Sequence, residues 1–130
     1  MSAVALNTMK NYFYIAATIA LTVYGQLVLK WRVSGAGDLP VAFSDKLAYL
    51  CRLLFDPFVM STIISVFLAS LCWMMALSKF ELSHAYPFMS AAFVLVLFLS
   101  VLFFNESISW QKLIGLLLIV AGIVVTSRSG

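Results

Sequence analysis

The chain has 130 residues, of which 64% are hydrophobic and only 10% charged, whereas an average soluble domain is about 45–50% apolar and about 25% charged. That composition belongs in a membrane and excludes a disordered or fibrous chain, because a soluble domain of this size leaves roughly a third of its unfolded surface exposed after folding. The net charge of +3 rests on eight basic residues scattered singly, which form no stripe able to neutralise a run of phosphates, so no nucleic acid is expected as a partner.

A bilayer core about 30 Å thick takes roughly 20 apolar residues per helix. Four runs qualify, at 12–30, 57–78, 85–104 and 110–127. Backbone groups in lipid must be satisfied internally, so these runs are expected to be helices. The uncharged stretch Tyr12 to Leu29 exceeds the apolar core of about 7–15 residues found in a cleaved signal peptide. It is therefore read as a membrane span. After it, Gly35-Ala36-Gly37-Asp38-Leu39-Pro40 reads as a turn. From 43 to 55, Phe43, Leu47, Leu50 and Leu54 recur at helical spacing, with Asp45, Tyr49, Arg52 and Asp56 on the opposite side. This pattern predicts a short interfacial amphipathic helix between the first and second spans, lying on the membrane. Asp56-Pro57 supplies an N-cap and a proline for the first turn of the second span. In the fourth span the uncharged stretch starts only at Leu113, so Trp110, Gln111 and Lys112 belong in the headgroup region. With no internal repeat, residues 1–130 are expected to form a single four-helix transmembrane domain, an all-α membrane protein.

The side of the membrane on which each loop lies follows from its basic residues. Lys10, Lys79 and Arg128 fall on one side, and Lys30, Arg32, Lys46, Arg52 and Lys112 on the other. The balance favours both termini outside by a narrow margin. Insertion in both orientations, or pairing with a related subunit of opposite topology, stays open.

Polar groups inside a span are costly and therefore mark candidate sites. Thr18, Thr22, Gln26 and Lys30 are spaced by four and are expected to line one face of the first span, beside the small residues Ala17 and Gly25. Two readings are open. One is a polar track ending in a cation that meets an anionic headgroup; the other is a lysine that snorkels to water from the helix end. In the second span, Ser61, Ser65, Ala69 and Cys72 form a stripe with Ser70 and Trp73 beside it, a pattern of helix packing. Between spans two and three, Glu81 and His84 read either as titratable gates, with Tyr86 as a substrate contact, or as a solvated loop with an aromatic belt residue. Glu106 either solvates or caps the entry to the fourth span, where Ser107 and Ser109 are alternative N-caps. Gly115 and Gly122 lie one heptad apart and offer a smooth face for a second helix. Four helices alone form too small a bundle to enclose a hydrophilic path, so association is expected, with the fourth span as its seam. Cys51 and Cys72 have no metal spacing and read as small hydrophobes, so neither a metal nor a cofactor is expected. No acid lies in mid-span, and there is no Ser/His/Asp or HExxH arrangement and no phosphate-binding glycine loop, which argues against an enzyme.

Three stretches carry a resemblance: Tyr24-Gly25-Gln26-Leu27-Val28-Leu29-Lys30 closing the first span, Ala85-Tyr86-Pro87 opening the third, and Gly115-Leu116-Leu117-Leu118-Ile119-Val120-Ala121-Gly122 in the fourth. Over its whole length the chain resembles the small multidrug resistance branch of the drug/metabolite transporter superfamily, four-helix proteins that work as dimers. The last stretch is similar to that family's dimerisation motif, and Asn105-Glu106-Ser107-Ile108-Ser109 looks like the acidic element before the final helix in the wider superfamily. Drug-exporting members carry a glutamate eight positions before the lysine and a tryptophan three positions after the tyrosine. Here those positions hold Thr22 and Met89. Both departures turn the resemblance toward the EamA-like type of the 4-amino-4-deoxy-L-arabinose-phosphoundecaprenol flippase subunits, which share the Gly-Gln-xxx-Lys ending and the Ala-Tyr-Pro opening. The long first loop with its amphipathic segment lies outside the likeness to the drug exporters.

That resemblance implies a flippase component of the bacterial inner membrane, acting on a lipid-linked sugar phosphate for polysaccharide or lipopolysaccharide modification. It would work as a homodimer or as a heterodimer with a related four-helix subunit. The phosphate would follow Lys30, assisted by Gln26 and Thr22, and the sugar hydroxyls would meet Tyr86 and Ser90. Lysine suits the task because its compact ammonium pairs with phosphate and releases it. Two alternatives stand beside this: a proton-coupled exporter of small cationic or polar metabolites that uses Glu81, His84 or Glu106, and a non-transporting subunit that recruits a glycosyltransferase through the amphipathic loop.

Overall fold

The computed structural model describes residues 3–129, which form six helices: α1 (Ala3–Gly35), α2 (Phe43–Leu54), α3 (Pro57–Leu77), α4 (Leu82–Met89), α5 (Ala91–Phe104) and α6 (Trp110–Ser129). α4 and α5 follow one another as one apolar stretch, Leu82–Phe104, so four stretches are long and apolar enough to cross a membrane. This is an all-α membrane protein.

Local chemistry sets the helix ends. Asp56 is extended (φ −64°, ψ 131°) and its carboxylate accepts from the Phe58 N–H at 2.9 Å, with Pro57 in the first turn. An extended residue with a side-chain acceptor, followed by a residue that needs no N–H partner, is what the start of a helix requires. Ser109 does the same for α6, accepting from the Lys112 N–H at 3.3 Å. α5 stops at Asn105, which is left-handed (φ 53°, ψ 34°), and the following Glu106 N–H donates back to the Ser100 carbonyl at 3.5 Å. Asparagine is among the few non-glycine residues that visit this region readily.

Two spans differ from the lengths read in the sequence. α1 begins nine residues before Tyr12 and ends five after Lys30, because no proline or glycine pair interrupts it. The third span opens at Leu82, ahead of the Ala85-Tyr86-Pro87 stretch, which places Pro87 inside α4. A proline there removes one helical hydrogen bond and crowds the preceding turn. The helix breaks at Ser90, where the Ser90 N–H donates to Pro87 and the Phe93 N–H to Ser90, at 3.0 and 3.1 Å. Both bonds span three residues, the tighter winding expected next to a proline bend.

α3 packs along α1, and small side chains let the two approach. A Cβ placed on Gly25 would lie 3.3 Å from Thr62 Cγ2. Thr62, Ser65, Ala69 and Ala76 bury the facing stripe of α3, and Ser65 Oγ donates across the interface to the Leu21 carbonyl at 2.7 Å. α4 and α5 also rest on α1, and α6 rests on α4 and α5. Each end of the α1–α3 pair is tied. At one end Arg32 pairs with Asp56, donating through Nε at 3.0 Å, and its guanidinium lies 5.1 Å from the Trp31 ring and 5.2 Å from the Phe58 ring. At the other, Ile15, Ala76 and Ala85 form a small core covered by Tyr12, Phe80 and Phe88. α2 buries none of its residues, and Phe43, Leu47, Leu50 and Leu54 are all exposed. Its apolar stripe therefore has no partner within the described part of the chain.

Candidate functional site

α1, α3 and α4 together wall a groove of about 370 Å³. Each helix contributes residues at helical spacing: Thr18 and Thr22 from α1; Val66, Ala69, Ser70 and Trp73 from α3; Tyr86 and Met89 from α4, with Ser90 capping its end. The spacing of three and four residues explains why one side of each helix suffices. Met89 and Ser90, at the break, line the groove together with Tyr86.

The lining is neutral and rich in hydroxyls. Thr18 Oγ1 donates to the Tyr14 carbonyl at 2.7 Å and Ser70 Oγ to Val66 at 3.0 Å. Their donors are thus spent within their own helices while their oxygens remain acceptors. Among the described residues Thr22, Tyr86 and Ser90 have no hydrogen-bond partner for their hydroxyls. The groove therefore offers both fixed acceptors and free donors. Trp73 and Tyr86 stand nearly at right angles, ring centroids 6.1 Å apart and planes at 70°.

Thr22, Tyr86 and Ser90 are thus brought together, but the rest of the expected polar track is not. Thr18 is buried, Thr22 half-buried, and Gln26 and Lys30 exposed outside the groove. The reason is helical pitch. A step of four residues overshoots one turn of 3.6 by about 40°, so three steps rotate Lys30 roughly 120° from Thr18. The track is a spiral around α1 rather than one face. Among the described residues neither the Gln26 nor the Lys30 side chain has a hydrogen bond or ion pair.

The titratable candidates lie at the ends. His84 is half-buried rather than solvated: Nε2 is 3.0 Å from the Tyr12 hydroxyl, the Phe80 and Phe88 rings flank it at 5.5 and 5.3 Å, and Nδ1 is buried without a partner. Glu81 is exposed just before α4, and Glu106 is half-buried beyond α5; neither lines the groove. Gly115 and Gly122 have no atom within 4 Å of where a Cβ would stand, so that face of α6 is uncovered.

Sequence reading assigned Ser70 and Trp73 to helix packing. The signal for their place in the groove was present in the spacing Val66, Ala69, Ser70, Trp73, which defines one face of α3 pointing at the α1 threonines. Arg32 and Asp56, read respectively as a topology charge and a cap, turn out to be partners. The Arg32 hydrogen bond, aided by the Phe58 N–H and by the positive charge itself, holds the Asp56 carboxyl below its ordinary value of 3.8, outweighing the effect of burial.

Relatives of known type share most of this chain. The probable 4-amino-4-deoxy-L-arabinose-phosphoundecaprenol flippase subunit ArnF of Serratia proteamaculans is 33% identical over 120 residues, covering 88% of this chain and 90% of the relative. The probable subunit ArnE of the same flippase in Pseudomonas aeruginosa strain UCBPP-PA14 is 32% identical over 120 residues, covering 88% and 95%. The probable ArnF of Proteus mirabilis is 30% identical over 122 residues, covering 91% and 92%. No solved structure matches the chain. The EamA-like transporter family matches residues 14–128, and with four membrane-span helices in the same region this chain is a multi-pass membrane protein that belongs to that family.

Proposed function

We propose that the chain is a flippase subunit that carries a sugar linked to undecaprenyl phosphate across the bacterial inner membrane. It would pair with a second copy or with a related four-helix subunit through the uncovered glycine face of α6. The observation that carries this reading is the neutral, hydroxyl-lined groove that joins Thr22, Tyr86 and Ser90. A glycosyl headgroup is satisfied by such donors and acceptors, whereas exchange of a cation for protons calls for an embedded carboxylate. The names of the relatives support the lipid-linked class.

Lys30 lies eight residues beyond Thr22, about 12 Å further along the axis. In this reading the phosphate first meets Lys30 near the membrane edge and then moves past Gln26 toward Thr22 as the sugar enters the groove. The polyprenyl tail stays in lipid, α2 lies on the membrane surface through its apolar stripe, and rocking of the paired subunits exposes the groove to each side in turn. Glu81, His84 and Glu106 stand at the helix ends, where they would act as gates.

Proteoliposomes carrying a radiolabelled polyprenyl-phosphate-linked sugar test the reading. Wild-type protein, with its related subunit where one is required, should move the label to the outer leaflet, and Lys30→Ala should slow it about ten-fold or more, the scale of one lost charged contact. Transfer by Lys30→Ala at the wild-type rate would remove that residue from the path. Proton currents driven by small cations, without lipid transfer, would establish the exporter instead.

A further inference from the structure

The headgroup-facing groove places hydroxyls and two aromatic rings around its space but no charge. All five acids of the chain lie elsewhere. Asp38 and Asp45 are exposed in the α1–α2 connection and on α2, and Asp56 is held by Arg32. Glu106 follows α5. Glu81 is extended and exposed just before α4 and does not line the groove. An ammonium brought into the groove would lose its water and gain no counter-charge, at a cost far above that of a neutral group that finds hydroxyl partners.

The rings point to the shape of the neutral group. Trp73 and Tyr86 form a corner, with planes at 70°. The C–H face of a pyranose ring is apolar and lies flat on an indole, while its hydroxyls project from the rim. Around this corner the rim meets the acceptors Thr18 and Ser70 and the free hydroxyls of Thr22 and Ser90. We infer that the groove selects an uncharged pyranosyl headgroup stacked on Trp73, and disfavours a sugar carrying a free ammonium. This deepens the flippase reading and rests on it. It also separates this chain from the amino sugar for which its relatives are named.

The test compares three radiolabelled polyprenyl-phosphate lipids in proteoliposomes containing the full chain, with its related subunit if one is required. One bears glucose, one 4-amino-4-deoxy-arabinose, and one the same amino sugar after N-acetylation, which removes the charge and keeps the ring. At neutral pH the glucose and N-acetylated lipids should cross about ten-fold or more faster than the ammonium form. Trp73→Ala should lower transfer of the glucose lipid several-fold and shrink its advantage over the ammonium lipid, while Trp73→Phe keeps the advantage. A purely structural role for Trp73 would slow all three lipids equally and remove it from the stacking role. An ammonium lipid that crosses as fast as the neutral ones overturns the inference and leaves the flippase reading standing, with the aromatic corner acting as a cation seat. Failure of wild-type protein to move any of the three overturns the flippase reading, and the inference with it.

Discussion

The close approach of α1 and α3 at Gly25 sets a measurable steric limit. Replacing Gly25 with alanine brings a methyl 3.3 Å from Thr62 Cγ2 and 3.5 Å from Val66 Cγ2. Thr62 has little freedom to yield, since it is buried and its hydroxyl bonds to the Phe58 carbonyl at 3.3 Å. Alanine recovers about 0.8–1.0 kcal/mol of helix propensity relative to glycine, which offsets a contact that needs the neighbour to move a few tenths of an ångström. Gly25→Ala should therefore unfold within about 1 kcal/mol of the wild type. Leucine adds three further carbons toward α3, where the Thr62 carbonyl stands 3.8 Å from the Cβ position, and overpacking of this kind costs about 1–3 kcal/mol. Taken at about 2 kcal/mol, that is roughly a thirty-fold change in the folded-to-unfolded ratio. Unfolding in mixed micelles with increasing dodecyl sulfate, followed by tryptophan fluorescence, reads the difference. Thr62→Ser supplies an internal check, because it removes the contacted methyl and keeps the hydroxyl; in the Gly25→Leu background it should restore part of the loss. If Gly25→Leu unfolds at the wild-type detergent fraction, α1 and α3 are not in close contact there and the groove between them is not rigidly framed.

Two further outcomes follow from the tied end and the open face. Because the Asp56 carboxyl is held below its ordinary value of 3.8, its contribution to stability is complete above that value and is lost as pH falls through the lowered one. Emission from Trp31, whose ring meets Phe58 at 5.0 Å, should shift in that acid range in the wild type and not in Asp56→Asn; identical titrations would separate Trp31 from the ion pair. Gly122→Leu places a side chain on a face with nothing within 4 Å, so folding of the single chain should be unaffected while association measured by cross-linking in the membrane falls. Undiminished cross-linking would move the seam off α6.

Much of the architecture was legible because it depends on local chemistry. Asp56-Pro57 starts α3 by supplying an acceptor and then a residue without a donor, and the stripe Phe43, Leu47, Leu50, Leu54 marks α2 through periodicity alone. The pairing of Arg32 with Asp56 was hidden, since it joins residues 24 positions apart and depends on the tilt of one helix against another. His84 was ambiguous for a similar reason. A histidine between a charged stretch and a proline reads as solvated until Tyr12, seventy-two positions away, is folded against it. The four-residue spacing from Thr18 to Lys30 misled in a different manner, because regularity in number is not regularity in angle. In the groove itself, the α1 threonines and Tyr86 were visible as polar groups in apolar runs, whereas Ser70 and Trp73 gained meaning only when α3 turned the same face toward them.

The length of α1 has a mechanical consequence. The helix approaches α3 closely at Gly25, with about 33 Å of helix before that point and about 15 Å after it. α1 is a continuous helix with no proline inside it, so once the ties at its two ends are released it can turn as a stiff lever about Gly25, with arms in a ratio of about two to one. A small displacement at Lys30 or Arg32, about 8 and 11 Å beyond Gly25, is magnified about four- and three-fold at the far end. The long arm is therefore the better place to attach a distance probe, because movement at the lysine is read there at about four times its size.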